Sequence, residues 1–478
     1  MNYGEHGLLL NVKQHRDALF KALFPNSIAI LPGAEIKYRS KDVEYPFRQN
    51  SDFYYLTAYP EPDALAVFIK EDNSNQNNIH NNSGKFILFN KSLDLKHQIW
   101  HGKLLGQEQA IQQYGADEAY PIEQLEQILP QLLSGKEIIY YPDYLNVNNN
   151  INHTYQYASN SDKFKQIVFD FFKKNPKVQT RSEHQDLLSI IHELRVVKSP
   201  IELEKIRYVT KISADAHNHI MEYIAKHKNS NKNNDKINNK SNNNLTERHV
   251  QAEFYKYCLQ HGCDEMAYQP IVAGGNNACI LHYTQNTSQL RSNELLLIDA
   301  GAEYSNYAAD ITRVFPINGK FSANQKEIYS LVLFAQKQAI EQIRPGKLWS
   351  NIQLTIVEIL VQGLIDLKIL SGNLTDLIDQ QAYKEFYMHG SGHFLGLDVH
   401  DVGSYTINQK SRALVPGMVL TVEPGLYFPP NSKNIVDQKW QGMGIRIEDD
   451  ILVTEKGFEV LTSAAVKEID EIENLMLN

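Results

Sequence analysis

Short apolar runs at Ile28 to Leu31, Ala64 to Ile69, Lys85 to Phe89 and Glu137 to Tyr141 predict strands in the first part of the chain. Between them, Glu123 to Leu133 repeats its leucines and isoleucines at helical spacing, so the pattern predicts a mixed α/β domain. A new regime follows. Leu187, Leu188, Ile190, Ile191 and Leu194 form a helical stripe, and Ser199-Pro200-Ile201-Glu202 joins an N-cap, a first-turn proline and a capping-box acid at the head of a long helix. Thr246 should open a helix running to Gly262, Ser322-Ala323-Asn324-Gln325 one stopping at Pro345-Gly346, and Ser350 one ending near Gly372. Strand patterns at Glu294 to Ala300, Tyr307 to Phe315, Met418 to Tyr427 and Gly444 to Val453 complete an α+β arrangement of helices on an antiparallel-looking sheet. Three Asn-rich stretches, Asp72 to Lys85, Asn146 to Asp162 and Asn229 to Leu245, lack any hydrophobic period and read as surface loops. The division expected from this pattern is a domain over 1–176 and a second over 177–478, with a flexible Asn-rich insertion at about 229–245.

Composition narrows the function classes. The 478 residues suffice for two or three domains with full cores. Lys and Arg number 47 against 56 Asp and Glu, a net −9 that repels phosphate backbones and argues against nucleic acid as a partner. No stretch approaches the ~18 uncharged apolar residues of a membrane span, and the start, with an acid before a three-leucine run, does not read as a signal peptide. The expected compartment is the cytoplasm. Three cysteines without CxxC spacing, Cys258, Cys263 and Cys279, indicate neither a disulfide framework nor a thiolate zinc site.

The chemistry concentrates in the second domain. In LLLIDAGAEYSNYAADITRVFP, Asp299 and Asp310 interrupt otherwise apolar strand-like runs, and a hairpin through Tyr304 to Asn306 would bring them side by side. A buried carboxylate must find positive charge or take up a proton. Glu423 in MVLTVEPGLY and Glu448 in GIRIEDDILV repeat the anomaly, and Arg446 shares a face with Glu448 by strand alternation. Between these pairs, MHGSGHFLGLDVHD carries His389, His393 and His400 in a Gly-rich segment. Four carboxylates and one imidazole carry a formal −4, which two divalent ions would cancel. A donor set rich in oxygen, with one nitrogen and no sulfur, suits Mn²⁺ best, with Co²⁺, Fe²⁺ or Zn²⁺ as alternatives. Such a pair, about 3.5–4 Å apart, would hold a bridging water as hydroxide and polarise a carbonyl, which makes the reaction class hydrolysis. Spacing alone does not choose among the three histidines, and each acid or histidine taken singly is as readily a structural or solvated residue.

Taken together, YPFRQNSDFYYLTAYPEPDA, IWHGKLLG, ILHYTQN, LLLIDAGAEYSNYAADITRVFP, MHGSGHFLGLDVHDVG, VLTVEPGLY and GIRIEDD resemble the Xaa-Pro aminopeptidases of the pita-bread metallopeptidase family, over most of both domains. The resemblance implies a creatinase-like α/β N-terminal domain without catalytic ligands, followed by an α+β pita-bread catalytic domain. It also implies a dinuclear centre on Asp299, Asp310, His393, Glu423 and Glu448, in which Asp310 and Glu448 bridge, Asp299 holds one ion, and His393 and Glu423 hold the other. By the same resemblance His400 donates to the substrate carbonyl or oxyanion, His282 and His389 line the proline pocket, and Glu423 carries the proton from the bridging water to the leaving nitrogen. Arg446 looks like the family's pocket arginine, while Tyr268 and Thr312 stand behind the ligands or at the pocket.

The implied substrates are peptides with proline second, whose tertiary amide lacks an N–H and whose ring fixes φ. A homo-oligomer, dimer or tetramer, is also implied. In bacterial relatives the Arg48 to Tyr55 segment and Trp100 approach a neighbour's site, although such aromatics serve equally to fill their own core. The nearest enzymatic alternative is prolidase, restricted to Xaa-Pro dipeptides. A methionine aminopeptidase would lack so large an N-terminal domain, a creatinase would not keep the metal set, and a non-catalytic pita-bread binding module would have lost ligands.

Overall fold

The four apolar runs in the first part of the chain become β1 (Ser27–Pro32), β2 (Leu65–Lys70), β3 (Lys85–Asn90) and β5 (Ile138–Tyr140) of one mixed sheet, to which β4 (Glu118–Pro121) and β6 (Gln179–Thr180), outside those runs, are added. Their spatial order is β4-β3-β2-β1-β5-β6. The β1–β2 and β2–β3 pairs are antiparallel, and β1–β5, β3–β4 and β5–β6 are parallel. β1 and β2 are buried at every position, as expected of central strands covered on both faces. The computed structural model describes residues 5–71, 84–142, 160–174, 179–180, 186–234, 245–430 and 437–477.

Two compact units share the chain, Met1–Arg195 and Val196–Asn478. The division thus falls after Arg195 and not at 176, because the helix Leu187–Arg195 packs into the first unit. Arg195 Nη1 donates to Asp52 Oδ1 at 2.6 Å, and the Tyr55 hydroxyl donates to the Leu194 carbonyl at 3.0 Å. Phe53 and Tyr55 are buried within this unit, whereas Trp100 is 82% exposed. Of the three Asn-rich stretches most lies outside the described residues. Helix Asn160–Lys174 takes in the end of the second, and helix Pro200–Asn234 runs into the start of the third, so neither is wholly loop.

In the second unit the capping signals hold at three helices. Ser199 and Glu202 bond each other's backbone amides at the head of Pro200–Asn234. Thr246 and His249 form a box before Glu247–Gln260, and Ser322 and Gln325 one before Ala323–Ile340. Ser350 is not a cap: helix Trp349–Asp366 begins one residue earlier, with Leu348 in the capping position, and Ser350 sits in the first turn with its amide bonded to Ser411 Oγ.

Three antiparallel sheets face these helices. Strands Thr312–Pro316, Leu295–Asp299 and Ile271–Gly274 form the first, Val419–Val422, Asp449–Val453 and Phe458–Val460 the second, and Gly425–Phe428 with Met443–Arg446 the third. Three strands expected to be continuous are broken: one between Ala308 and Thr312, one at Glu423-Pro424, one at Ile447-Glu448. Pro424 has no amide to donate, and the Asp310 amide goes to Asp450 Oδ2 instead of a strand partner. Val422 pairs with Asp449 and Gly425 with Arg446, so the last two breaks lie directly opposite each other. Hence Asp299 alone of the four acids lies within a strand, and the other three occupy gaps.

Candidate active site

These gaps open onto one cavity of about 310 Å³, lined by Asp299, Asp310, Glu423 and Glu448 together with His282, His389, His393 and His400. Tyr405, Leu281 and Arg446 complete much of its wall. Ligand-capable atoms of Asp299, Asp310 and Glu448 lie within 4.8 Å of one another, as do those of His393, Glu423 and Glu448, and those of Asp310, His393 and His400. Of the three histidines in the Gly-rich segment, His393 enters two of these groups, His400 one and His389 none.

Local structure fixes each side chain. Asp299 ends its strand opposite Thr312. The Tyr268 hydroxyl reaches both Asp299 Oδ1 at 2.6 Å and Asp310 Oδ1 at 2.5 Å, tying the two aspartates together. Glu448 is held through its amide, which donates to the Thr312 carbonyl at 3.1 Å, and through its carboxylate, which accepts from Thr312 Oγ1 at 2.7 Å. Arg446 donates to Thr312 Oγ1, the Tyr427 hydroxyl and Asp299 Oδ2. The Glu423 amide bonds the Ser391 carbonyl, and the Thr421 amide the His393 carbonyl, which docks the histidine segment on the edge of Val419–Val422. A Cβ on Gly392 would fall 2.0 Å from the Thr421 carbonyl oxygen, so this close approach requires glycine. His393 Nδ1 lies 3.0 Å from the Phe394 carbonyl, which fixes Nδ1–H as donor and turns Nε2 toward Asp310 Oδ2 (3.3 Å) and Glu423 Oε1 (3.9 Å).

The electrostatics are those of crowded carboxylates. Burial, followed by the charges of Asp310, Glu423 and Asp299, lifts Glu448 well above the usual carboxylate range. Burial raises Asp299 as well, against the pull of Arg446, and lifts Glu423 to about 7. Asp310 moves down: burial pushes it up, but the hydrogen bond and charge of His393 outweigh that. His393 responds oppositely, its burial overcome by Asp310, to reach about 9. Burial carries His389 down to about 4, so its neutral ring bridges the Gly390 carbonyl (2.8 Å) and the Tyr427 hydroxyl (2.9 Å). Arg446 is the one guanidinium or ammonium group among the lining residues. Such a set of acids is stable only with more positive charge, and five convergent oxygen and nitrogen donors fit divalent metal ions.

The family model for metallopeptidase family M24 matches residues 204–455, and that for the aminopeptidase P N-terminal domain matches residues 12–140. This chain belongs to metallopeptidase family M24. It is 40% identical to the Xaa-Pro aminopeptidase of Escherichia coli (strain K12) over 97% of each chain. To the human Xaa-Pro aminopeptidase 3 it is 32% identical over 92% of this chain and 78% of that one. Among solved structures it is similar to Pseudomonas aeruginosa aminopeptidase PepP, with TM-score 0.83, 39% identity and 98% of each chain covered. It is equally similar to a zinc-substituted Escherichia coli aminopeptidase P in complex with product, at TM-score 0.83 and 39% identity over 98% of each chain. The fold is therefore the aminopeptidase P N-terminal domain followed by an M24 pita-bread catalytic domain, and the M24 chain is a hydrolase of peptide bonds.

Every site residue named from the sequence lies at the M24 cavity or directly behind it: Tyr268 and Thr312 touch the acids, and the others line the wall. Sequence reasoning passed over Tyr405, which lines the cavity and stacks on Phe394 with ring centres 4.9 Å apart. It also missed the fully buried Arg313, which donates to the Glu448 carbonyl at 2.6 Å and to Asp449 Oδ1 at 2.6 Å. Tyr405 carries no signal in its sequence context. Arg313 does, because a charged residue inside TRVFP is the same anomaly that marked the acids.

Proposed function

We propose that the chain is a dinuclear-metal aminopeptidase that hydrolyses the bond between an N-terminal residue and a following proline, with Asp299, Asp310, His393, Glu423 and Glu448 as its ligands. The observation that carries this reading is the convergence of those five side chains on one cavity that His282, His389 and His400 also line. The names of the curated relatives, Xaa-Pro aminopeptidases at 40% and 32% identity, support the specificity.

Two divalent ions, when bound, supply Lewis acidity and a hydroxide nucleophile at neutral pH. The donor set, mostly carboxylate oxygen, supports Mn²⁺, with Co²⁺, Fe²⁺ and Zn²⁺ as competitors. The chain's own groups do the rest. Glu423, at a strand gap facing His393, carries a proton from the attacking water to the proline nitrogen, which as a tertiary amide must be protonated to leave. His400, with its ring centre 4.2 Å from that of His393, donates to the carbonyl oxygen as negative charge develops there. Neutral His389 and exposed His282 bound the space for the proline ring. Arg446 holds Asp299 and, through Thr312, orients Glu448. Leu95, Ile99 and Trp100, each at least 80% exposed on one short helix, support a homo-oligomer, and three free cysteines fit work in the reducing cytoplasm.

The test uses protein stripped with chelator and restored with Mn²⁺, given an Xaa-Pro-Xaa tripeptide and, in parallel, an Xaa-Pro dipeptide, with products identified by mass. Release of the first residue from the tripeptide only after metal return supports the proposal. Cleavage confined to the dipeptide assigns prolidase, and no cleavage with any of the four metals assigns a binding module.

A further inference from the structure

His282 lines the cavity from an exposed position, and among the described residues its ring makes no hydrogen bond. Its place is therefore set by the loop that carries it, from Gly274 at the end of a strand to Ser288. One side chain holds both ends of that loop. Glu247, fully buried in the first turn of helix Glu247–Gln260, accepts at Oε1 from the Gly274 amide (2.9 Å) and Asn277 Nδ2 (2.8 Å). Its Oε2 accepts from the Tyr283 hydroxyl (2.8 Å) and the Ser288 amide (2.8 Å). The Glu247 amide in turn donates to the Ser288 carbonyl at 2.9 Å, and the Leu290 amide to the Leu245 carbonyl at 2.9 Å. All four donors to the carboxylate are neutral, and the helix N-terminus supplies the compensating positive potential. A fully buried carboxylate with no cationic partner among the described residues is expensive to keep. A plain loop closure could be made with an amide or a hydroxyl. Four acceptor positions on one rigid planar group, spread over residues 274, 277, 283 and 288, define the path of the segment between them, and Tyr283 is the immediate neighbour of His282.

We propose that Glu247 is the positioning residue for His282, fixing the 274–288 loop so that the imidazole stands at the wall of the cavity that receives the proline ring. The inference rests on the Xaa-Pro reading of the pocket. It requires that loss of the carboxylate and loss of the imidazole be the same loss.

The experiment is a double-mutant cycle on the metal-loaded full chain with Glu247→Gln and His282→Ala, reading kcat and KM on an Xaa-Pro-Xaa tripeptide together with metal content per chain. Glu247→Gln keeps shape but turns one end of the clamp from acceptor to donor, so kcat/KM should fall roughly 10- to 100-fold, the range for a displaced catalytic-site group. The split between kcat and KM should match that of His282→Ala, the metal content should stay at the parent value, and the double variant should be no worse than His282→Ala alone. Multiplicative losses, a fully active Glu247→Gln protein, or a loss that follows metal content would each overturn the inference. Should Glu247→Gln fail to fold, Asn277→Ala removes a single donor and must show a smaller loss, again absent in the His282→Ala background. Full activity of His282→Ala would bring down the pocket reading and this inference with it, whereas an impaired His282→Ala combined with additivity sinks this inference alone.

Discussion

Replacing Gly301 by alanine adds one methyl group and should disable the site. Gly301 follows Asp299 by two residues, and its chain runs beside that of Ala309 and Asp310, with Ala300 N–H bonded to Ile311 O and Ala309 N–H to Ala302 O, both at 3.0 Å. A Cβ there would lie 1.8 Å from the Ala309 carbonyl oxygen and 2.4 Å from its carbon. The nearest comfortable carbon–oxygen approach is about 3.3 Å, so the two backbones must part by roughly 1.5 Å. Neither is a flexible side chain that can swing aside. The displaced segment carries Asp310, and the Tyr268 hydroxyl cannot then reach both aspartates at 2.6 and 2.5 Å. Overpacking of this kind costs about 1–3 kcal/mol of stability, which a chain of this size survives. A ligand moved by an ångström or more should lower kcat/KM by at least ~100-fold. The assay is tripeptide hydrolysis with metal content by mass spectrometry and a thermal melt. Gly457→Ala, where the added Cβ meets nothing within 4 Å, serves as the neutral control. Full activity and full metal content in Gly301→Ala would refute the argument that this backbone contact sets the spacing of the aspartates.

Asp310→Ala should abolish both metal binding and tripeptide cleavage, while His400→Ala should keep its metal and slow turnover, checked by metal content beside kcat; retained metal and full activity in Asp310→Ala would make the ligand assignment wrong. Asp449→Ala strands Arg313 and Lys467, which both reach that buried carboxylate at 2.6 Å, and should cost about 3–5 kcal/mol in a denaturant melt. Because Arg313 also grips the Glu448 carbonyl, metal affinity should fall in the same variant. Fully buried His217 is carried down to about 3 by burial, against about 6.5 for a free imidazole. The unfolded chain therefore takes up the proton first, so the stability tied to neutral His217 is present above about pH 6.5 and drains away as pH falls toward 3. His217→Gln should flatten that slope, by up to about 1.4 kcal/mol per pH unit, in acid unfolding followed by fluorescence.

The capping boxes at Ser199 and Ser322 were legible because reciprocal side-chain bonds need particular residues at fixed offsets. Ser350 shows the limit. A serine two residues past the true cap looks the same in sequence, and its amide is taken by the Ser411 hydroxyl, far along the chain. The acids were legible as charges in apolar runs, but their backbone was misread. Period-two alternation through Asp310, Glu423 and Glu448 suggests unbroken strands, whereas the ladders stop at those residues: the proline at 424 was there to be read as a break, but side-chain capture of the Asp310 amide by Asp450 is a tertiary event. Extending the same test to bases would have found Arg313. The unit boundary escaped because the stripe Leu187 to Leu194 states that a helix exists but not which core it joins.

Three of the four acids sit where the hydrogen-bonded ladders pause, which separates the heredity of the scaffold from that of its chemistry. A lineage that loses Glu423 or Glu448 to a neutral residue gives up no rung of either sheet. It also sheds a mutual repulsion that strains the metal-free molecule. Selection for heat resistance in the absence of selection for turnover would thus erode these positions first. The descendants would keep the architecture, stand more stably without ions, and survive as inert copies available for other uses.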